Sequence, residues 1–287
     1  MFIRQHLWCL TPFLAIFVFK DVKLNSLTES RSPRIIIVGA GNIAWHLGHA
    51  LKAGDYDITG IIGRNHVTGE ELAAELDTVW NSSLAIPRGS CDLLFLAVND
   101  SALKDVAEQL EVSDAIVVHT AGSISIETLK RFDRYGVFYP FQTLTKGIPC
   151  DFSKVPLCIE ASDADTEAAI LQLAESISNT VSLLGSQQRK KLHLAGIILN
   201  NFTNHLITRA TDFAERNELD PELLYPLLQE TLDKLRKTSS DRAQTGPAKR
   251  KDFSVINEHL EMLSDEPELK NLYRLITDSI IAYYSTD

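Results

Sequence analysis

The stretch from Arg34 to Leu51, RIIIVGAGNIAWHLGHAL, constrains this chain more than any other. The aliphatic run Ile35 to Val38 leads into Gly39-Ala40-Gly41, and a helical pattern begins at once. That order reads as a buried parallel strand, a tight glycine turn and a helix. The spacing is G-x-G-x-x-A, with Gly39, Gly41 and Ala44 at the marked positions. Gly39 permits the turn, Gly41 lets a pyrophosphate approach the backbone, and Ala44 keeps helix and strand close. The N–H groups opening the helix, at Asn42 and Ile43, then face the phosphates. A second strand pattern, Tyr56 to Ile62, stands where the motif needs it. A dinucleotide site is expected; the alternative is a glycine turn inside an ordinary α/β core.

The end of that second strand bears on the choice of cofactor. A domain that prefers NAD carries Asp or Glu about 20 residues past the glycines, to bind the ribose 2′-hydroxyl. Here the chain reads Gly63-Arg64-Asn65. No acid repels a 2′-phosphate, and Arg64 can pair with one bidentately, so NADP is expected. The alternative is that Arg64 is a solvated loop arginine.

Further strand patterns follow at Asp92 to Val98, Ala115 to His119 and Gly136 to Tyr139, with a short edge segment at Ser82 to Ile86. Helices are expected from Thr68 to Leu76 and after Asn99, where Asp100 or Ser101 can cap. In an open parallel sheet, ligands lie off the carboxyl ends of the strands. Ala97, Val98 and Asn99, and Thr120, Ala121 and Gly122, therefore join Gly39 to Ile43, Arg64 and Asn65 as expected cofactor contacts. The tip Pro140-Phe141-Gln142-Thr143 should face the same crevice. His119 reads as a satisfied core histidine ahead of a catalytic one. Val155 to Ala161, Asp163 to Ser178 and Thr180 to Leu184 add one more strand–helix–strand unit.

From Ser186 onward only helical patterns occur: Gln187 to Asn217, Asp220 to about Lys237, Phe253 to Leu263 and Pro267 to Tyr284. An alternating α/β pattern followed by helices alone means two domains. The expected layout is a mostly parallel, doubly wound sheet over residues 33–185 and an all-α domain over residues 186–287. Residues 1–32 lie outside it, as an N-terminal extension, disordered or a mis-called start. The apolar run Leu7 to Phe19, broken by Pro12, resembles a signal segment without a cleavage site, which leaves a membrane anchor as the other option. Four cysteines without C-x-x-C spacing read as reduced thiols of a cytoplasmic protein, and no histidine spacing suggests a metal site. A formal charge of −10 argues against a nucleic-acid partner.

On the long helix, His193, Asn200 and Asn204 project within about 40° of one another at 100° per residue. Leu192, Leu194, Ile198, Leu199, Phe202, Leu206 and Ile207 surround that stripe, and buried polar groups need partners. Those partners are either a substrate between the domains or backbone and a second subunit. His193 is the candidate proton donor or orienting group, since histidine as a residue type titrates near neutrality. Asn200 is the candidate hydrogen-bonding group. The polar break Asp241 to Asp252 could neutralise an anionic ligand or be a solvated charge run.

Taken together, Val38-Gly39-Ala40-Gly41-Asn42, Phe95 to Asp100, His119 to Ser123, Tyr139-Pro140-Phe141-Gln142-Thr143, the helix with His193 and Asn200-Asn201, and Thr245-Gly246-Pro247 with Asp252 resemble a known family. It is the Rossmann-like family whose C-terminal half is the domain of unknown function 2520, similar to pyrroline-5-carboxylate reductase and 6-phosphogluconate dehydrogenase-like enzymes. The resemblance implies NADP-linked reduction and dimerisation through the helical domain, with no defined substrate. Related dehydrogenases carry a catalytic lysine one turn before an asparagine on the long helix; here Gly196 and Ile197 stand there. The expectation is an NADP-dependent oxidoreductase acting on a C=N or C=O group of a small metabolite. The alternative is a dinucleotide-binding sensor or assembly protein without turnover.

Overall fold

The structure is a computed structural model that describes residues 32–285. The expectations for the amino-terminal segment, Ser32 apart, lie outside the described residues.

One eight-stranded sheet organises the amino-terminal part. Its strands are β1 Arg34–Val38, β2 Asp57–Ile62, β3 Trp80–Asn81, β4 Leu93–Leu96, β5 Ile116–His119, β6 Tyr135–Pro140, β7 Leu157–Ala161 and β8 Val181–Leu183. The spatial order is β3-β2-β1-β4-β5-β6-β7-β8, parallel throughout except for the antiparallel β6–β7 pair. Helices α1 Asn42–Ala53, α2 His66–Glu75, α3 Asp100–Gln109 and α4 Ala164–Ile177 connect and cover it. The aliphatic run of β1 shows why both faces must be covered. Ile35 and Ile37 enter one buried cluster while Ile36 and Val38 enter another, as the two-residue period of a strand requires.

Several boundaries differ from the sequence reading for identifiable reasons. The edge strand is Trp80–Asn81, not Ser82 to Ile86. The Asn81 side chain accepts the Ser83 N–H at 2.8 Å and turns the chain away, leaving Ala85 a single bridge to Glu111. Helix α2 starts at His66, earlier than Thr68, because Asn65 caps it by accepting the Thr68 N–H. Neither Asp100 nor Ser101 caps α3; Asn99 precedes it, and the Asp100 carboxylate accepts a hydrogen bond from Ser123 Oγ.

Among the described residues, every regular element from Ser186 onward is helical: α5 Ser186–Gly196, a π-helical segment Ile197–Phe202, α6 Thr203–Arg216, a 3-10 turn Pro221–Leu224, then α7 Tyr225–Leu235, α8 Ser240–Ala243, α9 Pro247–Arg250, α10 Phe253–Met262 and α11 Pro267–Tyr283. The long helix expected from Gln187 to Asn217 is thus α5 and α6 joined through a π turn. The short α8 and α9 sit inside the polar break. Among the described residues, no helix is long and apolar enough to cross a membrane.

The long helix is fastened to the sheet at its first turn. Arg189 is fully buried and its guanidinium pairs with Glu160 on β7. The same carboxylate accepts the Ser186 N–H at 2.9 Å and the Ser186 hydroxyl at 2.8 Å. Arg189 also donates to the Ile124 carbonyl, and Ser186 Oγ accepts the Ile126 N–H at 3.0 Å. Strand β7, the loop after β5 and the start of α5 therefore meet in one hydrogen-bonded charge network. Breaking a buried pair from one side costs about 3–5 kcal/mol because a buried charge is left unpaired. Arg189→Met and Glu160→Gln should each lower unfolding free energy by about that amount in urea titrations. The double variant should lose clearly less than the sum; additive losses would show that the two charges do not depend on each other.

Candidate active site

The glycine turn has the geometry a dinucleotide requires. Gly39 adopts φ +123°, and a Cβ there would run into the Ala97 carbonyl. Only glycine fits this approach of β1 to the end of β4. At Gly41 an added Cβ would meet nothing within 4 Å, so the space over the turn is open to a ligand. Gly41 opens α1 without any side-chain cap, and the first turn carries no acidic residue. Its N–H groups are thus available to phosphate oxygens. Ala44 is fully buried against the sheet.

Around the turn lie the other expected cofactor residues. Ala40 and Ile43 pack on the core from partly exposed positions, and Asn42 Oδ1 accepts the Lys146 N–H at 3.1 Å. Arg64 is exposed at the end of β2, with no ion pair or side-chain hydrogen bond among the described residues. Asn65 uses its side chain to cap α2. Ala97 is buried and donates its N–H to Val38 at 2.8 Å; Val98 is half-buried and Asn99 exposed. Thr120 and Ala121, at the end of β5, are buried.

Arg189 determines what comes next on the long helix. His193 is one turn further along the same face, and Gly196 one turn beyond that. His193 Nδ1 lies 3.0 Å from the hydroxyl of Tyr139 at the end of β6. Both press on Gly122: a Cβ there would sit 2.6 Å from Tyr139 Cζ and 2.7 Å from His193 Nδ1. A Cβ on Gly196 would likewise come within 2.6 Å of the Phe141 ring. The Phe141 ring thus lies against Gly196, and the Tyr139–His193 pair brings two titratable groups together.

Tyr139 is only 8% exposed, and its phenol is pushed up to about 12, first by burial and then by the neighbouring Cys158 and Asp100. It therefore stays protonated through the neutral range and serves as a donor. His119 is fully buried, and its pKa is held down to about 3 by burial and by the charge of Arg189, with the Ser125 backbone opposing. It is a neutral core residue. Nδ1 accepts the Ala121 N–H at 3.2 Å, but Nε2 has no hydrogen-bond partner among the described residues, so "satisfied" describes only half of the ring.

The polar stripe does not continue along the helix. The π turn under-rotates the chain between Gly196 and Thr203, so a projection at 100° per residue fails across it. Asn200 and Asn204 are exposed, and the Asn200 amide bonds Asn201 at 3.3 Å. The structure brings His193, but neither asparagine, against Gly122. The sequence reading offers Asp100 only as a helix cap and Phe141 only as part of a strand tip facing the crevice, and gives Tyr139 and Ser123 no role of their own. A tyrosine at the carboxyl tip of a strand in the same parallel run as β1 was the available signal.

Comparison with known proteins agrees with this fold. Residues 155–280 match a family described as a domain of unknown function, DUF2520, and residues 22–141 match a Rossmann-like domain. No curated protein matches the chain in sequence. BF3122 from Bacteroides fragilis, assigned as an NADP oxidoreductase, is 36% identical over 88% of this chain and 98% of its own, with a TM-score of 0.81. The 1-pyrroline-5-carboxylate reductase of Streptococcus pyogenes shares the fold at 14% identity and TM-score 0.60, covering 88% of this chain and 100% of its own. An imine reductase from Myxococcus stipitatus, solved with NADP+, shares it at 14% identity and TM-score 0.55, with 88% and 93% covered. The chain belongs to the Rossmann-like family that carries the DUF2520 domain at its carboxyl-terminal end.

Proposed function

We propose that the chain is an NADP-dependent oxidoreductase that reduces a C=N or C=O group of a small metabolite. The observation that carries this reading is the Tyr139–His193 pair, packed on Gly122 at the carboxyl edge of the same sheet whose glycine turn stands open. Gly39 to Ile43 would hold the pyrophosphate, Arg64 the 2′-phosphate, and Ala97 to Asn99 with Thr120 to Gly122 the nicotinamide end. NADPH, when bound, supplies a hydride.

The chain's own part is the proton. Tyr139 Oη donates to the substrate nitrogen or oxygen, and protonated His193 returns a proton to Tyr139 from Nδ1. His193 is half-buried and draws its replacement from solvent. Asn200, exposed beyond the π turn and away from Gly122, takes no part in this step.

The helical domain also supports a homodimer. Leu194, Ile198, Leu199 and Phe202 on the long helix are 54–74% exposed, and Leu275 on α11 is 69% exposed. Large apolar side chains left this exposed on one domain favour an interface. A two-fold dimer through residues 186–287 would cover it, with about 2,000 Å² or more buried in total.

Three expected outcomes test these assignments. Arg64→Ala should weaken NADPH binding by the roughly 1.5–3 kcal/mol of a charge-assisted hydrogen bond and leave NADH binding nearly unchanged. Equal losses for the two cofactors in a titration would remove Arg64 from the 2′-phosphate. With NADPH oxidation followed against cyclic imines and keto acids, Tyr139→Phe and His193→Asn should each lower kcat about 10²-fold or more, with NADPH affinity kept within a few-fold. Tight NADPH binding with no turnover on any panel member would favour a non-catalytic sensor. Light scattering at micromolar concentration should give a dimer, and a monomer would contradict the assembly.

A further inference from the structure

Between β6 and the short 3-10 turn Phe152–Lys154, residues 142–151 form a strap that returns from the Tyr139 end of the sheet to the start of α1. The strap is built into the fold. Leu144 is buried, the Thr145 carbonyl lies 3.0 Å from Nε2 of the buried His46, and the Lys146 N–H donates to Asn42 Oδ1 at 3.1 Å. Gly147 follows at φ +83° and turns the chain away. The backbone of Lys146 is thereby pinned one side chain from the first residue of α1.

Where its ammonium rests is informative. Lys146 Nζ lies 3.2 Å from Glu71 on α2, and the two side chains are 30% and 55% exposed. A pair this accessible to water is weakly held and readily exchanged for a stronger anion. Lysine is a flexible point charge suited to a phosphate oxygen. The neighbouring helix start has open space over Gly41 and no acid in its first turn. On a chain with a formal charge of −10, a dinucleotide gains from any cation held at that turn.

We propose that Lys146 is a phosphate-binding residue of the dinucleotide site, leaving Glu71 to pair with the pyrophosphate over the first turn of α1. This rests on the dinucleotide reading above and adds a residue to it from beyond the glycine turn. Pyrophosphate is common to NADPH and NADH, whereas the phosphate assigned to Arg64 belongs to NADPH alone. The two cations therefore have different signatures. Glu71 competes with the ligand for the ammonium.

Fluorescence titration of the full chain with NADPH and with NADH tests this. Lys146→Met should weaken both by roughly tenfold and by the same factor. Glu71→Gln should tighten both several-fold, a gain that a folding defect cannot imitate. Unchanged affinity in Lys146→Met, or a loss confined to NADPH, overturns the proposal. Should Lys146→Met fail to fold, Glu71→Gln decides, and affinities equal to those of the unmodified chain overturn it. A natural chain that binds neither dinucleotide would overturn the cofactor reading itself, a result distinct from bound cofactor that ignores Lys146.

Discussion

The buried pair of Arg189 and Glu160 is the constraint on which the rest of the arrangement depends. A fully buried arginine is costly unless its donors are used, and here β7, the loop after β5 and Ser186 supply acceptors to its two terminal nitrogens, while Nε has no partner among the described residues. One placement of the long helix meets those demands. That placement brings His193, one turn on, to Tyr139 and Gly122, and Gly196 to Phe141. The charge of Arg189 also helps to keep His119 neutral, so the nearest buried histidine does not compete for the proton role.

In the proposed reaction the glycine turn and the tyrosine pair divide the chemistry between them. The turn is shaped by what it lacks, a Cβ at Gly39 and Gly41 and an acid in the first turn of α1. The pair is shaped by burial, which keeps the Tyr139 phenol protonated. Both lie at the carboxyl edge of one parallel sheet, where strand ends leave room for a ligand. The strap carrying Lys146 joins the two, running from β6 to Asn42.

Much of this was legible in the sequence because it follows from local rules. The unbroken apolar run of β1, the glycine spacing and the change to purely helical periodicity after Ser186 each reflect one element and its immediate burial. The Gly122 end of β5 could likewise be placed from the sheet rule. What could not be read depends on contacts between distant residues. The Tyr139–His193 pair joins positions 54 apart, and the Arg189–Glu160 pair positions 29 apart. The π turn defeated the projection that linked His193 with Asn200, because a helix is assumed regular until its packing shows otherwise. Asn81, Asn65 and Asp100 shifted boundaries by using their side chains in turns, caps and the Ser123 contact, and such choices depend on the neighbours present.

The central claim is that the open glycine turn and the Tyr139–His193 pair serve a single cleft. Nuclear magnetic resonance of the chain labelled with 15N at histidine rings tests it without any substrate. As NADPH is added, the His193 ring resonances should shift in step with cofactor occupancy, while those of His259, bonded to Tyr273 within the helical part, stay in place. Saturation with NADPH that leaves His193 unmoved would contradict the account.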